Sequence, residues 1–520
     1  MPRRALLVGL DAADLDVLRP LLARGDMPHL AELRAQGASG VLHSTVPPVS
    51  APAWASFLTG CHPGRHGLYS FVVEREGGAT QLATLADVRA PKLWDYVAAQ
   101  GARSLVVNVP VTWPPPPVAG ALVTGMLTPE SRAVAWTHPP ELQAEIERVV
   151  PGYRIDVDRA MLDDKETLFG QLSEMTRRRA ALFVHLLRTQ DWRVAVTVFT
   201  NTDRVQHAFW RSRRDLVDAH FREVDAHIGT LLAAIDRSET VVLLMSDHGF
   251  QSAHWKLYMN RALEEAGLLA TRRGGDPSSY DRRRPDWFAD FQGGRGDAAP
   301  KQGALERVFS SVGLGGPHVM DWARTQAFTW SLDTGGVAVN LRSRYPHGSV
   351  DDADYERVRD AVIAALRALE LPEGRPAFRT VRRREEVYAG PFADRAPDVV
   401  TEADDALDLG IQLDAKQPFR RHKQPEGHHS PRGFVCVTGP GCRAGATIEG
   451  SIVDCLPTLL HAAELGVPPG LDGRVLTGAF ADGRAVRAAD ALALESGAAE
   501  GFSAEEEEAL RRSLEGLGYL

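Results

Sequence analysis

Cysteine is scarce in this chain: four residues in 520, at Cys61, Cys436, Cys442 and Cys455. Their spacing fits no thiolate metal site, and a Cys436–Cys442 bridge would need the intervening Gly-Pro-Gly to turn back suitably. Free thiols in a reduced, cytoplasmic protein are the simpler expectation. Long apolar runs are missing too. None approaches the roughly 20 residues of a membrane-spanning helix. The apolar run behind Arg3 and Arg4 is too short for a signal peptide and ends in acidic residues, so it reads as a first buried strand. Excess positive charge is absent: 59 Lys and Arg against 68 Asp and Glu leave a net charge of −9. That excludes the electrostatic footprint of a stable nucleic-acid or membrane-surface partner. No internal repeat is visible.

What the chain does have is length and alternation. At 520 residues, 44% hydrophobic and 24% charged, it can bury a large core as one big domain with insertions or as two to three units. Nearly all-apolar, β-branched runs recur at 5–10, 104–107, 194–199, 240–245 and 433–437, with helical patterns at 28–36, 92–100, 165–188 and 213–235. Strands apolar on both faces belong in a parallel sheet covered by helices, which predicts an α/β, doubly wound, mostly parallel sheet. Ligands of such sheets bind beyond the carboxyl ends of the strands. The pattern breaks at 271–303, rich in Gly, Pro, Asp and Arg, which reads as a long loop or lid inserted in the core. Its Arg282-Arg283-Arg284 run is first of all a solvated charge run, though it could steer an anion. Strands at 336–341 and 398–401 and a helix at 354–369 are expected after it. The expected division is a first core part at 1–270, an inserted lid at 271–320 and the remaining core at 321–520. Ser503 and Glu506 fit a capping box. Glu507–Arg511 and Glu508–Arg512 fit i,i+4 pairs on a terminal docking helix with Leu510, Leu514 and Leu517 as its apolar stripe.

The stretch 44–67 is rich in small residues and proline, with Ser50 standing before Pro52 and an apolar turn of Ala55, Phe57 and Leu58. Proline suits the first turn of a helix, so Ser50 lies at a helix mouth. There it can be an N-cap, or it can sit beside an anion-binding end. The residues behind the strands shift that balance. Asp11 follows the first strand, Asp203 and His207 (on one face if a helix begins there) follow the third, and Asp247 and His248 follow the fourth. His428 and His429 precede the fifth. One Asp behind a strand is ordinary capping, but three strand ends bearing Asp, two of them with His, are not. Carboxylates and imidazoles converging on one edge need a cation among them, and mixed Asp/His ligation suits Zn²⁺ or Mn²⁺. With Ser50 the set suffices for two divalent ions about 4 Å apart, an arrangement that handles phosphoryl transfer. A buried Asp–His network without metal is the rival.

Several motifs then carry a resemblance. They are Asp11, Val-Ser-Ala-Pro-Ala-Trp-Ala-Ser-Phe-Leu-Thr-Gly at 49–60, His-Pro-Gly-Arg-His-Gly at 62–67 and Thr-Asp-Arg-Val-Gln-His at 202–207. Ser-Asp-His-Gly at 246–249, His-Ser-Pro-Arg-Gly at 429–433 and the closing segments 452–460 and 471–476 complete the series. In this order they resemble the alkaline phosphatase superfamily, and within it the type I phosphodiesterase/nucleotide pyrophosphatase family. The resemblance implies an alkaline phosphatase-like fold with an inserted lid. It implies one ion on Asp203, His207 and His429, and another on Asp11, Asp247 and His248 together with the oxygen of Ser50. It implies Ser50 as the nucleophile and a phosphoseryl intermediate, with a small-molecule phosphate ester as substrate: a diester or pyrophosphate first, a monoester as the alternative. His428 becomes a neighbour of the site. Arg204 and Lys256 stand near expected ligands and are offered to phosphate, although ion pairs are the simpler role for both. His66 reads as a turn-bonding residue. Two departures matter. Trp54 stands where the sulfatase motif of this fold has Arg, which argues against sulfate esters. Phe71 follows Ser70 where nucleotide pyrophosphatases carry a phosphate-binding Asn close by, which argues against a standard nucleotide pocket. A phosphoglycerate mutase would need a second intact domain that 271–303 does not resemble, and a non-catalytic scaffold would be marked by lost ligands, none of which is missing.

Overall fold

The computed structural model describes residues 3–74, 80–129, 134–157, 159–273, 318–329, 335–492 and 501–517. Most of the expected lid, including its arginine run, lies outside the described residues. The five expected apolar runs all fall in one nine-stranded sheet, joined by four strands that were not among them. From edge to edge it runs Thr447–Ser451, Ala38–His43, Arg432–Thr438, Thr240–Met245, Arg4–Leu10, Val194–Phe199, Ser104–Val109, Gly120–Thr124 and Thr137–His138. The strands around Arg4–Leu10 pair in parallel. Side chains alternate across the sheet as the pleat requires: Leu6, Val8 and Leu10 enter one apolar core, Ala5 and Leu7 the other. Helices Pro28–Gln36, Leu168–Thr189 and Arg214–Leu232 close the first face, while Ser50–Thr59, Leu93–Ala98 and Cys455–Ala462 close the second. This is the doubly wound α/β architecture.

Two strands depart from the parallel direction: the two-residue edge strand Thr137–His138, antiparallel to Gly120–Thr124, and one that bears on the site. Arg432–Thr438 runs antiparallel to both its neighbours, with Val435 opposite Met245. Its direction has a consequence for the site. A residue before an antiparallel strand lies at the same sheet edge as residues after parallel ones, so His429 meets Asp11, Asp203 and Asp247 there.

Two smaller sheets flank this edge. Gly249–Tyr258 leaves directly from His248 and pairs with Phe419–Ser430, placing Phe250 opposite His429. It starts in the main core at Phe250 and ends in a separate core at Leu257. That second core is built on a four-stranded antiparallel sheet of Ala327–Phe328, Gly336–Val339, Val399–Ala403 and Phe378–Arg383, covered by helix Tyr355–Arg367. The tail forms helix Ala504–Leu517 with the expected box: Ser503 N–H donates to Glu506 at 2.9 Å, and Glu506 N–H to Ser503 Oγ at 3.3 Å. Arg511–Glu507 and Arg512–Glu508 pair along it, and Leu514 is buried. All four cysteines are free. Among the described residues no helix is long and apolar enough to cross a membrane.

Candidate active site

Helix Ser50–Thr59 is buried along its whole length. Its cap is Val49, in extended backbone, and Ser50 is the first helical residue. This corrects the capping alternative: Val49 holds the cap position, and the Ser50 hydroxyl bonds to Asp11 and His248. Pro52, third in the helix, brings no N–H, so the open backbone donors at this end are those of Ser50 and Ala51. Gly60 ends the helix at φ 65, a left-handed turn that suits glycine, and donates its N–H to Ser56.

Freed from capping, Ser50 Oγ lies 3.1 Å from His248 Nε2 and 3.4 Å from Asp11 Oδ1. Asp11 ends the central strand and is followed by Ala12 at φ 58, a sharp turn that lets the Ala12 N–H reach Asp247 Oδ1 at 3.3 Å. Thr202 Oγ1 lies 2.6 Å from the Asp11 carbonyl, and Gln206 Nε2 donates to the Ala12 carbonyl at 2.8 Å. Ser246 Oγ accepts from Ala13 N–H at 2.7 Å and donates to the His248 carbonyl. Three strand ends are thereby cross-tied by short polar bonds.

On the outer side, Asp203 and His207 occupy one face of helix Asn201–Phe209. Asp203 Oδ1 lies 3.4 Å from His207 Nε2 and 3.5 Å from His429 Nε2, and the two imidazole nitrogens are 3.0 Å apart. His429 Nδ1 faces the Pro48 carbonyl at 3.0 Å and His248 Nδ1 the Gly249 carbonyl at 3.1 Å. Each carbonyl needs a proton on Nδ1, which leaves the Nε2 lone pair aimed into the site. The ligand atoms of Asp203, His207 and His429 lie within 4.8 Å of one another, as do those of Asp11, Asp203 and His248. Asp203 stands between the two groups.

The electrostatics test whether this set fits cations. Asp11, Asp203, Asp247 and His248 are fully buried. Burial, with Asp247 and Asp203 beside it, pushes the Asp11 carboxyl well above its ordinary range. Burial, with Asp203 nearby, pushes Asp247 up to about 8. Burial also drives His248 well below the usual imidazole range, keeping it neutral. At Asp203 burial opposes ionisation, but the His207 and His429 imidazoles outweigh it and hold the carboxyl well below its ordinary value. Asp247 Oδ2 is buried and accepts no hydrogen bond, with His248 Nε2 at 3.3 Å. Three crowded carboxylates, the unmatched Asp247 Oδ2 and imidazole nitrogens turned into the same space fit divalent cations of the Zn²⁺ or Mn²⁺ type.

The remaining candidates lie around this centre. Arg204 is buried, with its guanidinium donating to the Thr200 carbonyl at 3.0 Å and paired with Asp156 at 2.5 Å. Lys256 Nζ pairs with Asp408 at 3.1 Å on the Gly249–Tyr258 sheet. His428 turns to the Asp405 carbonyl at 3.2 Å. His66 bonds its turn: Nδ1 accepts from Leu68 N–H at 3.2 Å, and Nε2 donates to Ser56 Oγ at 2.9 Å. Two contributors were not visible in the motifs. Trp54 Nε1 donates to Asp11 Oδ2 at 3.3 Å, and Asp14 both caps helix Leu15–Ala23 and accepts from Phe250 N–H at 3.2 Å. Asp14 before an apolar run is itself a cap signal, and Gly9 within a strand is the sequence mark of a close approach, here by the Trp54 ring.

Residues 5–431 match the model of the type I phosphodiesterase / nucleotide pyrophosphatase family. No curated protein sequence was found to match the chain. Among solved structures, the chain is similar to phosphonoacetate hydrolase from Sinorhizobium meliloti in complex with phosphonoformate (TM-score 0.56, 15% identity, 89% of this chain and 96% of that one). It is similar as well to murine ectonucleotide pyrophosphatase / phosphodiesterase 5, an inactive variant in complex with AMP (TM-score 0.51, 12% identity, 89% and 95%). The human form of that protein gives a TM-score of 0.52 at 12% identity, over 91% and 97% of the two chains. At such identities the likeness is one of fold. The family match spans most of the chain and includes all seven candidate ligand positions, and the protein therefore belongs to the type I phosphodiesterase / nucleotide pyrophosphatase family of phosphoric ester hydrolases.

Proposed function

We propose that this protein is a metal-dependent hydrolase of small-molecule phosphate esters in which Ser50 Oγ gives up its proton and attacks phosphorus, the ester oxygen departs with its alcohol, and water then cleaves the Ser50–phosphoryl bond to restore the serine. The observation that carries the reading is the position of Ser50 Oγ, 3.1 Å from His248 and 3.4 Å from Asp11 at an open helix end. Asp203, His207 and His429 would hold one divalent ion, and Asp11, Asp247 and His248 with Ser50 the other. Zn²⁺ suits the donors best and Mn²⁺ next. When bound, such ions stabilise a serine alkoxide and the charge on phosphoryl oxygens.

The chain's own residues supply the rest. Asp11 and His248 orient Ser50 toward the site. The helix end presents the Ser50 and Ala51 N–H groups to non-bridging oxygens, where charge gathers as the P–O bond breaks. His207 and His429 are the partly exposed members, so they line the side from which substrate enters. The family match and the phosphorus ligands of two neighbours favour phosphodiesters and pyrophosphates over sulfates. Phosphomonoesters place similar demands on the site and are the alternative class. Four free thiols favour a reducing, cytoplasmic compartment.

The test is a panel assayed with Zn²⁺ or Mn²⁺ after chelator treatment: bis-nitrophenyl phosphate, nitrophenyl phosphate, a nitrophenyl nucleotide and nitrophenyl sulfate. The diester is expected to turn over fastest, with no turnover before metal is restored. Sulfate as the best substrate would sink the reading.

A further inference from the structure

The segment that holds Ser50 also reaches Asp11 from behind. Trp54 lies four residues along the helix from Ser50, so both project from the same face. The indole is wholly buried, in the core on that side of the sheet. A buried indole N–H needs an acceptor, and this one finds Asp11 Oδ2 at 3.3 Å. The other oxygen, Oδ1, is the one that faces Ser50 at 3.4 Å and His248 at 3.6 Å. The two oxygens are thus divided between the core and the site.

The strand is built to permit this. A Cβ at Gly9 would stand 2.4 Å from Trp54 Cη2 and 3.1 Å from Cζ3. Only the absence of a side chain at Gly9 lets the ring slide under the strand and bring Nε1 level with the carboxylate two residues on. Phenylalanine would fill most of the same space. The indole adds one thing, a donor aimed at a carboxylate crowded by Asp247 and Asp203.

From this arrangement we infer that Trp54 is a positioning residue for the ion on the Ser50 side: it pins one oxygen of Asp11 so that the other stays presented to Ser50 and His248. The inference rests on the proposed metal-dependent function. Partners of ligating carboxylates typically contribute about 10–100-fold to metal affinity. Asp203, His207 and His429 come from other elements, helix Asn201–Phe209 and strand Phe419–Ser430, so the ion they would hold is expected to keep its affinity.

The experiment measures zinc equivalents by elemental analysis across a graded chelator series, in wild type, Trp54→Phe and Phe57→Leu. Phe57 packs edge-on against Trp54 at 6.0 Å in the same core and controls for loosened packing. Wild type is expected to hold two ions. In Trp54→Phe one ion should weaken by about tenfold or more while the other is unchanged. Phe57→Leu should behave as wild type, and excess Zn²⁺ should restore kcat in Trp54→Phe, which a folding defect would not allow. If Trp54→Phe fails to fold, benzothienylalanine at position 54, which replaces the N–H by sulfur in the same bicyclic outline, makes the same comparison. Two equally tight ions in the variant, or equal loss in Phe57→Leu, would overturn the role of Trp54. A wild type that binds no metal would instead contradict the proposed function.

Discussion

A serine that caps a helix spends its hydroxyl on backbone N–H groups two or three residues ahead. Val49 takes the cap position here, with no side chain to offer, and Ser50 moves one place inward with its hydroxyl turned to Asp11 and His248. That single step leaves the hydroxyl free for the nucleophilic role proposed for it. His66 shows the opposite case, a histidine whose two ring nitrogens are consumed by Leu68 N–H and Ser56. Burial pushes it down to about 3. An unfolded chain binds a proton at this residue near pH 6.5 that the folded chain refuses. Its contribution is therefore complete above that pH and is lost as pH falls toward 3, with a slope of about 1.4 kcal/mol per pH unit. Urea midpoints measured from pH 7 to 4 should fall less steeply in His66→Asn than in wild type, and equal slopes would refute the assignment. At this scale Asp11, Asp247 and His248 were legible as candidates because they closely follow apolar runs, and Asp203, His207 and His429 because they stand close to the ends of others. The Trp54–Asp11 bond was not, because it depends on how deep a ring slides under a strand.

Between elements, direction and register decide what meets. Asp11, Asp203, Asp247 and His248 could be placed at one edge because parallel strands end together. His429 joins them only because Arg432–Thr438 runs the other way and because Phe250 pairs with His429 across the adjoining sheet. Neither fact is written in local periodicity, since a fully buried run looks the same in both directions. Asp14 is the bolt between these elements. Its Oδ1 caps helix Leu15–Ala23 and its Oδ2 accepts from Phe250, two residues beyond His248. Asp14→Ala should lose the cap and leave a buried N–H unmatched, costing about 2–3 kcal/mol. Asp14→Asn keeps an oxygen for the cap but turns an NH2 group toward the Phe250 N–H, so it should recover only the cap's share, about 1 kcal/mol, and lose the rest. Urea denaturation with unchanged m-values checks this, and an Asp14→Asn variant as stable as wild type would exclude the bolt.

At the scale of the molecule, the sheet is a frame that delivers acidic and imidazole groups from distant parts of the chain to one edge. The doubly wound core was readable from alternating runs, whereas the second core around Phe328, Val337 and Phe378 required knowledge of antiparallel pairing between short strands. Gathering carboxylates has a cost that bound cations would offset. Without ions, Asp11 and Asp247 hold protons in the folded state that the unfolded chain has released above the ordinary carboxylate range, with Asp247 at about 8. The ion-free fold therefore loses stability as pH rises from about 4 toward 8. Cations bind the deprotonated groups, so the rise in Tm on adding Zn²⁺ should be larger at pH 8 than at pH 6 in thermal scans. A rise independent of pH would contradict the coupling. The central claim is that Ser50 takes the phosphoryl group, and the most direct measurement is phosphopeptide mapping. Zinc-loaded enzyme is mixed with bis-nitrophenyl phosphate, quenched in acid within one turnover and digested. The account predicts a phosphoryl ester on the peptide carrying Ser50, and no adduct with turnover reduced at least about 1,000-fold in Ser50→Ala. An unlabelled Ser50, together with near-normal turnover by Ser50→Ala, would contradict it.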